Sequence, residues 1–260
     1  MSLQVSRWCL SVARFLRRFP AIGFVYVSDS ESGPMSTAET GSMVRGSSSG
    51  PPWIVVSHTL DDVLVARWPG RLWRVELLEA ALSQPRDGAG YRRAIAVKVL
   101  EELSAATLFG THGAEVCKVI QAASRLNEED VDRLGQNASA ISAAAYARAW
   151  TTWLTRNDPT SHFLRQEHGD TLQARVAGKT SPIGHGLSVV HNAVFERART
   201  VGGDGVLVRD DDEVWLVPRW ATAADALCQA ALALGAPEIM PEADRRLLIL
   251  PFVEVFGFDG

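Results

Sequence analysis

Apolar and polar positions alternate with period two through most of residues 53–100, the signature of strands with one buried face. Four runs, 53–58, 61–68, 71–80 and 91–100, place branched and aromatic residues at every second position and predict a four-stranded antiparallel meander. Within it, Trp73, Val75 and Leu77 fall on one face and Arg74 and Glu76 on the other, while Ile95, Val97 and Val99 alternate with Ala96 and Lys98. Pro69 and Gly70 mark a tight turn, and the longer loop 83–90 makes the next reversal. Trp68 and Trp73 admit two readings, a stacking platform for a flat ligand or ordinary cross-strand packing.

Beyond Gly113 the period changes to that of a helix. Val116, Val119, Ile120 and Ala123 share one face. Asn127 followed by Asp130 is an N-cap signal for a second helix, and residues 139–154 form a third, Ala-rich one with Tyr146, Trp150 and Trp153 on its stripe. These three helices are expected to cover the apolar face of the meander. Helical spacing returns over residues 183–201, with Leu187, Val190, His191 and Val194 on a broad face. A β-hairpin around the acidic turn at 209–212 follows. Thr222 with Asp225 resembles a capping box for the next helix, and Pro241 can open a last one that Pro251 kinks or ends. The fold class is thus α+β: an N-terminal meander packed by helices, then a mainly helical C-terminal part with a short hairpin.

Four segments are expected. Residues 1–52 read as a disordered or mistranslated arm and a Gly/Ser/Pro linker, with Met35 as an alternative start to Met1. Residues 53–157 carry the meander and its helices, 158–182 are a polar connection, and 183–260 form the helical unit. No run of about 20 apolar residues is present to span a membrane. The composition, 47% hydrophobic and 22% charged, is that of a globular protein. A net charge of -4 with a pI near 5.9 argues against a sequence-independent grip on nucleic acid. Arginine supplies nearly all the positive charge, a bias that reads as the codon usage of a GC-rich bacterial genome. Cys9, Cys117 and Cys228 are odd in number and far apart, which argues against a disulfide framework or cysteine zinc site and favours a reducing cytoplasm.

Candidate chemistry is sparse. His185, His191, Asp210, Asp211 and Asp212 could bind a divalent metal or act as an acid/base pair, with Asp211 the carboxylate of choice. Against a shared role, His185 and His191 are separated by about 600° of helix rotation and so point in different directions. His191, on the apolar stripe, also reads as a buried histidine satisfied by one hydrogen bond. His112 with Cys117 invites a thiolate reading, and His162 with His168 a surface metal site, but neither pair has the spacing of a known cysteine or HExxH enzyme. Phosphate-loop, dinucleotide and serine-elbow motifs are lacking in the sequence, so no cofactor is implied. Two functions remain: an accessory protein that binds a protein partner, and an enzyme, metal-assisted or not, with its site near His185, His191 and the 210–212 turn.

Overall fold

The computed structural model describes residues 21–47, 50–86, 89–157, 181–201, 207–210 and 213–257. The chain divides into two compact units, Met1–Ala105 and Ala106–Gly260. The first is built on β1 (Ile22–Ser28), β2 (Met43–Arg45), β3 (Ile54–Ser57), β4 (Gly70–Ala80) and β5 (Tyr91–Leu103). All pairings are antiparallel, and they close a ring: β1 pairs β4, β4 pairs β5, β5 pairs β3, and β3 returns to β1 at Phe24 and Ser57. β2 lies beside the middle of β5.

Register explains the core. Val25 sits opposite Trp73, Val75 opposite both Gly23 and Val99, and Val97 opposite both Val44 and Leu77. Trp73, Val75, Val97 and Val99 are buried with Val25, Ile54 and Val56 in one cluster. Gly23 has to be small, because a Cβ there would lie 2.5 Å from the Ser57 carbonyl oxygen at the ring's closing point. The Arg71 guanidinium lies 4.3 Å from the centre of the Trp73 ring and pairs with Glu102, covering one end of the core.

Two expectations fail in this unit. Residues 21–47 are not a loose arm: β1 is a full member of the ring, and Met35 and Ala38 are buried in the same core as Trp73. Residues 1–20, 48 and 49 lie outside the described residues. Residues 61–68 form no strand, although Val63 and Val65 are buried and Leu64 is exposed. The alternation there records burial without pairing. Asp62 accepts hydrogen bonds from the Thr59 backbone N–H and hydroxyl, closing a turn just where a strand would begin.

The second unit holds α1 (Gly113–Ala123), α2 (Glu128–Gln136), α3 (Ala140–Asn157), α4 (Pro182–Val201), α5 (Pro218–Gly235) and α6 (Glu242–Phe256), with the hairpin β6 (Leu207–Asp210) and β7 (Glu213–Leu216). The expected N-cap at Asn127 is present and extends to a full capping box. The Asn127 side chain accepts from the Asp130 N–H and the Asp130 carboxylate from the Asn127 N–H, an arrangement worth about 1 kcal/mol. α5 is apolar nearly all round, and α1, α2, α4 and α6 pack against it. Val116 of α1 fits against Gly186 of α4 and Gly235 of α5, where an added Cβ would come within 2.9 and 2.8 Å of its methyl groups.

This packing moves the expected boundary. α1, α2 and α3 form a compact unit with α4, α5 and α6, so the division falls at Ala105 and Ala106 rather than after residue 157. α5 also begins at Pro218, ahead of the Thr222 and Asp225 expected to cap it, since proline suits the first helical turn. α6 runs through Pro251 and ends at Gly257, whose φ of 65° forms a left-handed C-cap. Residues 158–180, with His162 and His168, lie outside the described residues.

Candidate functional site

The histidines expected to act together diverge on α4. His185 is in the first turn, where the Ser181 hydroxyl accepts from the Gly184 N–H and the Ser181 carbonyl from the His185 N–H; its side chain is buried. His191 is exposed, contrary to its place on the apolar stripe, because the buried face runs through Val190, Val194 and Ala198. Asp211 and Asp212 lie outside the described residues, and of Asp210 only the backbone pairing with Glu213 is described. Among the described residues no three His, Cys, Asp or Glu side chains gather as a metal site.

His191 instead lies within electrostatic reach of Asp225 of α5. Partial desolvation raises the Asp225 pKa, and the His191 imidazole opposes the rise. One turn further along the seam, the Cys228 thiol donates to the Leu187 carbonyl at 3.7 Å. Burial, helped by Asp225, pushes that thiol up to about 12. Tyr146 of α3 completes the group. Burial raises its phenol, Cys228 and Asp225 add to the rise, and Trp150 opposes it. Trp150 packs edge-on against the Tyr146 ring, with centroids 6.2 Å apart, and hydrogen bonding between the two side chains is what holds the phenol's rise back.

Cys228 and Tyr146 are therefore held protonated at neutral pH and serve as neutral hydrogen-bonding groups rather than nucleophiles. Cys117 is likewise pushed by burial to about 11, and His112 is the exposed residue preceding α1. The thiolate reading of that pair does not fit these surroundings.

A second polar group lies in the barrel. The Ser57 hydroxyl donates to the Asp62 carbonyl, and His58 is within electrostatic reach of both Asp62 and the buried Arg92. Burial lowers the His58 pKa, Asp62 opposes that, and Arg92 adds to it; burial alone lowers Arg92. The Asp62 carboxylate accepts from the Thr59 N–H and hydroxyl and so closes its own turn.

Sequence reasoning passed over the seam for identifiable reasons. Asp225 resembles a cap, Tyr146 and Trp150 a core stripe, and Cys228 an isolated cysteine. The available signal is spacing: Tyr146 and Trp150 at i, i+4, and Asp225 and Cys228 at i, i+3, each share a helix face. Comparison of the chain with protein-family models, curated proteins and solved structures finds no match.

Proposed function

We propose that this protein is a cytoplasmic accessory protein that works by binding a protein partner through the outer face of its barrel. The observation that supports this is a row of side chains crossing four strands, in which Ile22, Glu76, Lys98 and Met43 are successive register partners. Its two ends are aliphatic and open to solvent, with Ile22 40% and Met43 77% exposed, and Leu78 adds a third at 46%. Flanking positions are occupied by cross-strand ion pairs, Arg45 with Glu79 and Arg74 with Glu101. Apolar side chains bordered by paired charges resemble the centre and rim of a transient interface. Among the described residues no helix is long and apolar enough to cross a membrane.

The test compares the wild type with a Met43→Asp, Leu78→Asp variant as bait in native lysate, with bound proteins quantified by mass spectrometry. Both positions are exposed, so folding should change little. A partner retained by the wild type and depleted about tenfold from the variant supports the reading. Equal capture by both baits, or no reproducible capture by either, defeats it.

A further inference from the structure

We propose that the hairpin of β6 and β7 is a self-association arm: the outer edge of β7 pairs antiparallel with β7 of a second copy of this chain, and the two hairpins form one four-stranded sheet. The arm is independent of the barrel surface.

The hairpin is a two-stranded sheet of its own, and among the described residues no further strand joins it. Two strands alone are only marginally stable in water. Val214 and Trp215 fall on opposite faces of β7 and are 42% and 51% exposed, so both faces of the strand are open there. β7 also has an open backbone edge. Only two residues separate Asp210 from Glu213, so this register pair must exchange both of its hydrogen bonds, and alternation makes Val208 and Trp215 the next such pair. Val214 and Leu216 therefore turn their N–H and C=O groups away from β6, to the outer edge. Lysine or proline commonly blunts an edge of this kind, but residues 213–217 include neither before Pro218 opens α5.

The edge is complementary to itself. A two-fold axis normal to the sheet keeps every residue on its own face, so it has to pass through a residue paired with its own copy. Centred on Trp215, it sets Trp215 against its copy, Val214 against Leu216, and Glu213 against Val217. Val217 is extended, with φ of -62° and ψ of 154°, so the strand continues that far. Each pair then has an apolar member, the two carboxylates lie at opposite ends, and the centre is an aromatic pair at the closer, non-hydrogen-bonded spacing. Centring on Val214 would set the Glu213 carboxylate against Trp215 and Leu216 against the hairpin turn.

The contact is small, so association is expected to be weak and to depend on concentration. Sedimentation of the full chain over about a hundredfold range of concentration should show monomer converting to dimer. Leu216→Pro removes an outward N–H that β6 does not use, and should weaken association about tenfold or more while leaving the melting curve in place. Trp215→Cys tests the register in the full chain without relying on that variant. It should form a disulfide between copies on air oxidation about tenfold faster than Val214→Cys, whose copy lies two positions out of register and beyond disulfide reach. A wild type that stays monomeric at every concentration, association unchanged in a folded Leu216→Pro, or crosslinking of Val214→Cys as fast as that of Trp215→Cys would each overturn the proposal.

Discussion

At the scale of single residues, burial decides what a substitution costs. Trp73 is 1% exposed and its indole nitrogen has no hydrogen-bond partner, so Trp73→Ala loses packing and the Arg71 contact on its ring but strands no buried acceptor. The resulting cavity should cost about 3 to 5 kcal/mol. Arg74 points the other way, into a half-exposed ion pair with Glu101 at 2.8 Å, and Arg74→Ala should cost about 1 kcal/mol or less. Urea unfolding of both variants measures the contrast, and equal small losses would contradict the inward face of β4. The alternation of β4 made this opposition legible in the sequence. The surroundings of Asp225 were not, because a helix-starting pattern says nothing of a neighbour 34 positions earlier in the chain, His191. With its folded pKa raised above its unfolded value, Asp225 costs stability once pH exceeds the unfolded value of about 3.9, and the cost is complete above the folded pKa. Asp225→Asn should therefore melt higher than the wild type at pH 7, with the gain vanishing near pH 3. A lower melting temperature at pH 7 would show that the His191 interaction outweighs desolvation.

Among the elements, β1 reverses the simplest reading of the chain. Its apolar run at 22–27 is short, follows a cationic stretch, and precedes a polar Gly/Ser segment, so local pattern alone reads as part of a loose arm. The partners that make it a strand are β4, from position 70 onward, and β3 at Ser57, and no local window contains them. A chain beginning at Met35 lacks this strand, leaves an edge of β4 unpaired, and removes Val25 from the core. It should be insoluble or lose cooperative melting of the barrel, and a melting curve superimposable on that of the full chain would refute the role of β1. Gly23→Val probes the same closure more gently. The new side chain collides with the Ser57 carbonyl and Val56, so a loss of about 1 to 3 kcal/mol is expected by chemical denaturation. Residues 61–68 show the opposite limit of pattern. Their period-two burial is real, but a strand also needs a neighbour with free backbone groups, and Asp62 commits the chain to a turn.

For the whole molecule, helices and strands were recognisable from period and caps, whereas their grouping was not. The three helices expected on the meander instead share a core with the C-terminal helices, because α5 is apolar around its circumference and needs neighbours on several sides. The decisive contacts are long-range: Trp150 and Ala149 of α3 pack with Leu232 and Ala233 of α5 and Leu248 of α6, and Arg148 is bidentate to Asp244. Spacing within one helix cannot reveal which distant helix receives its stripe. A core made wholly of residues after Ala105 predicts that residues 106–260 fold without the barrel. Expressed alone, this segment should be soluble and helical by circular dichroism, and should unfold in one cooperative transition. Arg148→Ala in the same segment should lower the midpoint only slightly, since that arginine is 58% exposed, whereas Leu248→Ala should cost about 2 to 5 kcal/mol. Aggregation or a non-cooperative melt of the segment would mean that its core depends on the first 105 residues, and that the division at Ala105 separates contacts but not folding.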